Sequence, residues 1–344
     1  MTSFTALQQT PVPAQTVPQQ MIDAAICAYS VTDGKSGAKL NAPNFFYEPI
    51  GFANPPVAFA AGLDDINAAF LGIDSQGWAI LSLRGTLSRW GSVGGDVQSV
   101  IDWLNDLRSS LVPLYDANGN FLGNVEDGWR SALSTIWQPI RTALHFCDWA
   151  NLNGLRITGH SKGAGLTFLA AALANAEKSS WSGGGPKAIE VHAFAAPLAG
   201  DASFAQQYSN ARLDAVTTRY QRAHDIVPFV PRYTYNGWSL FDELPDSLFG
   251  WALWAIKDTV EDGYELLGHL KYYADKGSSS TWPDPVTGQS AHNKAQAAII
   301  AAIATDAVDE IKAAHSSVYS YWPAIFKQAY PTQSLSREEI EAKL

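Results

Sequence analysis

Short apolar runs alternate along the chain with longer segments that carry apolar residues on one helical face. Runs of four to seven residues bounded by turn residues predict strands. They cover 57–61, 78–83, 155–158, 188–194, 216–222 and, as a late edge strand, 270–273. Helical periodicity predicts helices over 21–30, 129–150, 164–176 and 291–314. This alternation predicts an α/β fold with a mostly parallel central sheet and helices on both faces.

The ends of the chain differ in composition from its middle. Residues 1–20 are rich in Thr, Pro and Gln and lack the basic-then-apolar order of a signal peptide, so we expect a flexible tail. We expect a single domain over 21–330 and a C-terminal tail over 331–344, since no repeat or linker divides the middle. No apolar run approaches the length of a membrane span. The sequence predicts a soluble protein, either cytoplasmic or exported by a non-classical route.

Charge and cysteine usage narrow the function classes. The net charge is −10 with no basic block, which argues against nucleic-acid binding and against docking on anionic membranes. Cys27 and Cys147 stand in apolar stretches and are expected to be buried free thiols, although one disulfide is possible. No C-x-x-C or H-E-x-x-H metal pattern occurs. We expect neither a metal nor an organic cofactor.

Residues 159–163 read Gly-His-Ser-Lys-Gly between a predicted strand and an alanine-rich helix. This G-x-S-x-G pattern is typical of a nucleophile elbow, in which a tight turn presents the serine hydroxyl. The flanking glycines are required sterically, and the helix N-terminus favours developing negative charge. Ser161 is therefore the candidate nucleophile; an inert serine in a glycine-rich turn is the alternative.

A serine nucleophile needs a histidine base and an acid that orients it. Asp225 follows the 216–222 strand at the start of a proline-bounded loop, where such an acid is presented. Asp201, after the preceding strand, is the alternative. Both also suit helix caps or loop turns.

Five short motifs occur in an order that is informative as a set. They are Leu83-Arg84-Gly85-Thr86, Asp102-Trp103-Leu104-Asn105-Asp106-Leu107, the elbow, Phe194-Ala195-Ala196-Pro197 with Gly200-Asp201, and Asp225-Ile226-Val227-Pro228. Together they resemble the fungal-type (class 3) lipase family of the α/β-hydrolases over about residues 55–325. The resemblance implies an oxyanion hole formed by Thr86 and the backbone N–H of Lys162. It also implies that Asp106 holds the Thr86 hydroxyl and that Asp225 is the triad acid.

Three histidines follow Asp225. His315, in the late segment His315-Ser316-Ser317-Val318-Tyr319-Ser320-Tyr321, resembles the catalytic histidine of bacterial members and is favoured. His269, at the start of a predicted strand, is the main alternative, and His292, at a helix start, is the third.

The chain departs from the family pattern in the elbow and in the stretch where the family carries its lid. Lys162 replaces the usual leucine, and the stretch between Thr86 and Asp102 has few large apolar residues besides Trp90 and its neighbours. Residues 238–263 are rich in large apolar side chains, including Trp251 and Trp254, and could wall an acyl site or form a buried helix.

The expected activity is hydrolysis of carboxylic esters of lipids through an acyl-serine, as in a triacylglycerol lipase. A phospholipase A1 or small-ester esterase on the same fold is the alternative, as is acyl transfer to an alcohol. A catalytically silent hydrolase fold that only binds is the alternative of another class. The expected partner is a lipid ester, with at most transient contact with lipid interfaces and no nucleic acid.

Overall fold

The computed structural model describes residues 15–32, 37–62, 67–86, 110–231, 234–235, 238–239, 263–276, 281–305 and 307–329. Its centre is an eight-stranded sheet in the order β14-β13-β10-β9-β8-β5-β4-β3. These strands are β3 Val57–Ala61, β4 Asn67–Ile73, β5 Trp78–Leu83, β8 Gly154–His160, β9 Ile189–Phe194, β10 Thr217–Arg222, β13 His269–Tyr273 and β14 Val286–Thr287. The five strands β5, β8, β9, β10 and β13 run parallel to one another, and β14, β4 and β3 pair antiparallel at the two sides.

Three small antiparallel pairs lie outside this sheet. They are β1 Val31–Thr32 with β2 Lys39–Leu40, β6 Leu111–Tyr115 with β7 Phe121–Glu126, and β11 Thr234–Tyr235 with β12 Trp238–Ser239.

Helices cover both faces of the sheet. The α-helices are α1 Val17–Cys27, α2 Asn44–Tyr47, α3 Asp127–His145, α4 Lys162–Glu177, α5 Ala202–Asn210, α6 Gly288–Ala304, α7 Val308–Ala314 and α8 Trp322–Phe326. A π-helix, Ser317–Tyr321, precedes α8, and 3-10 turns lie at Ala28–Ser30, Glu48–Ile50, Lys178–Ser180, Ser182–Gly184, Asp214–Val216 and Val227–Phe229. Apolar side chains of α3, α4 and α6 form one core cluster, and those of α1 and α8 form a second. The predicted α/β-hydrolase architecture is therefore confirmed.

Several predicted boundaries need correction. The expected flexible tail does not extend to residue 20, because α1 begins at Val17, with Pro18 in its first turn, and is buried from Gln20 onward. The predicted helix over 291–314 is two helices, and the Thr305 hydroxyl bonds back to the carbonyl of Ala301 at the break. The 270–273 strand is not an edge strand, because β14 pairs on its outer side.

Two remaining expectations concern cysteines and membranes. Cys27 and Cys147 are both buried free thiols, as predicted. Among the described residues, none of the helices combines the length and the apolar character needed to cross a membrane.

Candidate active site

Ser161 lies at the sharp turn between β8 and α4. Its backbone has φ 59° and ψ −131°, a conformation that is strained for a residue with a side chain. Its N–H donates to the carbonyl of Phe194 at 3.0 Å, which ties the turn to the end of β9. A Cβ on Gly159 would lie 2.5 Å from the carbonyl carbon of Gly163, so the turn tolerates no side chain there. The strand–turn–helix geometry is that of a nucleophile elbow.

Three side chains from distant parts of the chain meet at this turn. Nε2 of His315 lies 2.9 Å from Oγ of Ser161. Nδ1 of the same ring lies 3.1 Å from Oδ1 and 3.3 Å from Oδ2 of Asp225. With Nδ1–H donating to the carboxylate, Nε2 is free to accept the serine proton. The arrangement has the connectivity of a nucleophile, a base and an orienting acid.

Asp225 is almost completely buried, with 1% of its surface exposed. Burial alone would raise its pKa. The opposing attraction and hydrogen bond of His315, together with bonds from the Tyr321 hydroxyl and the Val227 N–H, hold that pKa below its ordinary value. The carboxylate therefore stays ionised beside the imidazole.

His160 lies beside His315, with ring centroids 4.8 Å apart. Its Nε2–H donates to the carbonyl of His315 at 2.7 Å, and its Nδ1 accepts from the hydroxyl of Tyr29 at 2.9 Å. One neutral tautomer satisfies both bonds. Burial, and the nearby charge of His315, lower the pKa of His160 to about 3, so this ring is neutral near pH 7. His160 thus holds the backbone of His315.

The carboxyl end of β5 packs directly against the elbow. A Cβ on Gly163 would lie 2.1 Å from the carbonyl oxygen of Leu83, and one on Gly85 would lie 2.7 Å from the carbonyl oxygen of His160. Thr86, the next residue, is half-buried, and Lys162 begins α4. Both expected oxyanion donors therefore belong to segments that touch at the elbow. The other expected site residues, Asp106, Trp90, Trp251 and Trp254, lie outside the described residues.

The alternative triad residues lie elsewhere. His269 is exposed at the first residue of β13, where it pairs with Thr218 near the amino end of β10. Asp225 follows the carboxyl end of β10. Since β10 and β13 run parallel, the amino end of β13, where His269 lies, is at the opposite edge of the sheet. Asp201 caps α5 through the N–H groups of Ser203 and Phe204.

His292 lies within α6, and burial together with the positive charge of Arg219 lowers its pKa to about 4. In the described part of the chain, no group of three or more His, Cys, Asp or Glu side chains is placed to hold a metal ion.

Residues 92–235 match the family described as lipase (class 3). The chain is similar to the class 3 lipases over this segment, which is less than half of its length. No curated protein matches the sequence.

Three solved structures are similar to this chain in fold. A mutant of MDLA from Penicillium cyclopium is 17% identical, with a TM-score of 0.55 over 81% of this chain and 88% of that one. The mono- and diacylglycerol lipase from Aspergillus oryzae is 17% identical, with a TM-score of 0.52 over 79% and 86%. The Rhizomucor miehei lipase propeptide complex is 15% identical, with a TM-score of 0.51 over 84% and 76%.

Sequence reasoning did not assign Tyr29, Asn67 or Tyr321 to the site. Tyr29 and Asn67 precede the elbow by many residues, and no local motif links them to it. Tyr321 stands six residues after His315, and its hydroxyl donates to Oδ2 of Asp225. Its place in the same late segment as His315 is the signal that could have pointed to it.

Proposed function

We propose that this chain is a class 3 lipase that hydrolyses carboxylic esters of lipids through an acyl-serine intermediate. The observation that carries the proposal is the hydrogen-bonded sequence from Ser161 through His315 to Asp225 at a strained strand–helix turn. A serine hydroxyl is a weak nucleophile without such a base, and this geometry supplies one.

In the first half-reaction, Oγ of Ser161 would bond to the ester carbonyl carbon while its proton passes to Nε2 of His315. The carbonyl π electrons move to oxygen, which the backbone N–H groups of Thr86 and Lys162 would stabilise. When the intermediate collapses, the bond to the alcohol oxygen breaks and His315 returns the proton to that oxygen. Water then repeats these steps on the acyl-serine and releases the carboxylic acid and the free serine.

Neutral esters are the proposed substrates. The net charge of −10 disfavours binding to anionic interfaces, and no basic block offsets it. The structure from Aspergillus oryzae is named as a mono- and diacylglycerol lipase, and monoacylglycerols and diacylglycerols are neutral glycerides. We therefore expect triglyceride or diglyceride emulsions to be hydrolysed faster than phosphatidylglycerol at matched interfaces. Faster hydrolysis of the phospholipid would favour the phospholipase A1 alternative.

The nucleophile is tested with a fluorophosphonate probe and with p-nitrophenyl esters from acetate to palmitate. Wild type should be labelled and active, whereas Ser161→Ala should be unlabelled and lose several orders of magnitude in kcat. Ser134→Ala is the control, because that exposed hydroxyl donates to the carbonyl of Ser131 within its own helix, α3. Labelling at another serine would contradict the assignment. A folded wild type with neither labelling nor hydrolysis would favour the silent binding protein.

A further inference from the structure

A lysine side chain is buried next to the candidate nucleophile. Lys162 is only 7% exposed, and its Nζ donates to Oδ1 of Asn67 at 2.9 Å. Burial, with the positive charge of Arg84, lowers the pKa of Lys162 to about 8. Burying an ammonium group costs free energy unless it is well hydrogen-bonded. An exposed position at the start of α4 would avoid that cost, so the buried contact calls for a physical explanation.

Asn67 connects the lysine to the strand end that precedes Thr86. It is the first residue of β4, which runs antiparallel to β5 with Ala69 opposite Leu83. The next backbone bond, from Arg84 N–H to the carbonyl of Ala68, continues this pairing beyond β5. Asn67 therefore lies beside the segment that leads to Thr86.

The amide of Asn67 is fixed on both sides. Its oxygen accepts from Lys162, while its Nδ2 donates to Oγ1 of Thr135 on α3 at 3.1 Å. The hydroxyl of Thr135 in turn donates to the carbonyl of Ala132. The elbow helix α4, β4 and α3 are thus joined by one continuous series of side-chain hydrogen bonds.

The two expected oxyanion donors belong to two segments that meet near this connection. One is the backbone N–H of Lys162 at the start of α4, and the other is Thr86, three residues after the end of β5. Close backbone contact between Gly163 and Leu83 joins the same two segments, at a position where any added Cβ would clash. The lysine–asparagine bond joins α4 to β4, and β4 pairs with the segment that leads to Thr86.

We infer that the Lys162 side chain is a positioning group for the oxyanion site, acting through Asn67 to hold the first turn of α4 against the segment after β5 that carries Thr86. The inference rests on the proposed function, because it gives this connection a role in stabilising the tetrahedral intermediate. Oxyanion donors contribute most when they are fixed before the reaction. The lysine acts through the backbone and need not touch the substrate.

The activity test uses Lys162→Met, which keeps an unbranched chain of similar length and removes the donor. We expect kcat for p-nitrophenyl butyrate to fall about tenfold, with KM changed less than twofold, because a loss limited to the transition state appears in kcat. Lys178→Met is the matched control. Lys178 also donates to an asparagine, Asn175 at 2.8 Å, but at the far end of the elbow helix. Unchanged kcat in Lys162→Met would overturn the inference.

Variants of the partner separate positioning from general stability. Asn67→Leu should reproduce the loss in kcat. The double variant with Lys162→Met should be no worse than either single variant, since both substitutions remove the same hydrogen bond. Asn67→Asp keeps an acceptor for the ammonium and should retain kcat within about threefold. Equal losses in Asn67→Asp and Asn67→Leu, each with a lowered Tm, would show a merely structural role and contradict the inference.

Amide hydrogen exchange gives a readout that does not need activity. Lys162→Met should speed exchange in residues 83–86 and 162–166, whereas Lys178→Met should leave those residues at wild-type rates. If wild type hydrolyses no ester, the proposed function fails, and the exchange comparison still decides the positioning claim. Unchanged exchange in Lys162→Met would overturn it.

Discussion

The hydroxyl of Tyr321 donates a 2.5 Å hydrogen bond to Oδ2 of Asp225. The same hydroxyl accepts from the backbone N–H of Arg222 at 3.2 Å, at the end of β10. Tyr321 therefore connects the proposed triad acid to the strand that presents it. Because Oδ1 accepts from the N–H of Val227, both carboxylate oxygens are held while they face His315.

Tyr321→Phe is expected to lower kcat/KM about tenfold and the free energy of unfolding by roughly 1–3 kcal/mol. The reason is that a hydrogen bond to a buried charged group contributes about that much. Steady-state hydrolysis of p-nitrophenyl butyrate and urea unfolding measure the two effects. Tyr319→Phe, in the same π-helix, is the control and should change kcat/KM less than twofold. Full activity in Tyr321→Phe would show that His315 and Val227 orient the acid without it.

His315→Ala should match Ser161→Ala in its loss of kcat, because members of a hydrogen-bonded triad act as a unit and their losses do not add. His269→Ala should keep kcat within about twofold, since that ring is exposed at the amino end of β13. Single-turnover hydrolysis of a p-nitrophenyl ester distinguishes the variants. The opposite ranking would transfer the base to His269.

The elbow could be predicted from sequence because its chemistry is local. The glycines and the serine fall within five adjacent positions, and the turn they form needs no distant contact. Asn67 and Tyr29 reach the same site from the first quarter of the chain. Their contacts with Lys162 and His160 depend on how β4 and α1 pack, and no spacing in the sequence encodes that packing.

Strand and helix boundaries likewise divide into those that a local sequence pattern predicts and those that it does not. The 78–83 strand was predicted with its observed bounds, whereas β4 was missed because its residues 67–72 are buried on both faces and so do not alternate. The break between α6 and α7 was missed because the alanines around it continue a helical pattern. At the end of α6, the Thr305 hydroxyl donates to the carbonyls of the preceding turn.

Two glycines in the first turn of α4 should differ in their tolerance of a methyl group. Gly163→Ala should lower the free energy of unfolding by more than about 3 kcal/mol, because its Cβ would lie 2.1 Å from the rigid backbone oxygen of Leu83. Gly165→Ala should cost less than about 1.5 kcal/mol, because its nearest contact is the ring of Pro197 at 3.1 Å. Urea unfolding measures both. Equal losses would contradict the close contact between α4 and β5.

Stability in acid should depend on His160. Its folded pKa of about 3 lies below the ordinary value of 6.5, owing to burial and the charge of His315. Between those values the unfolded chain binds the proton and the folded chain does not. The stabilisation is therefore complete above about pH 6.5 and is lost as pH falls toward 3. From pH 7 to pH 4.5 this amounts to about 2–3 kcal/mol, at 1.36 kcal/mol per pH unit.

His160→Gln removes the titrating ring and keeps an amide that can bond to Tyr29 and to the carbonyl of His315. Urea unfolding at pH 7 and pH 4.5 should then show a smaller loss of stability in this variant than in wild type, by that same 2–3 kcal/mol. His269→Gln, at an exposed position, should retain the wild-type loss. If His160→Gln lost as much stability as wild type, protonation of other groups would account for acid unfolding, and the neutral ring between Tyr29 and His315 would have no part in it.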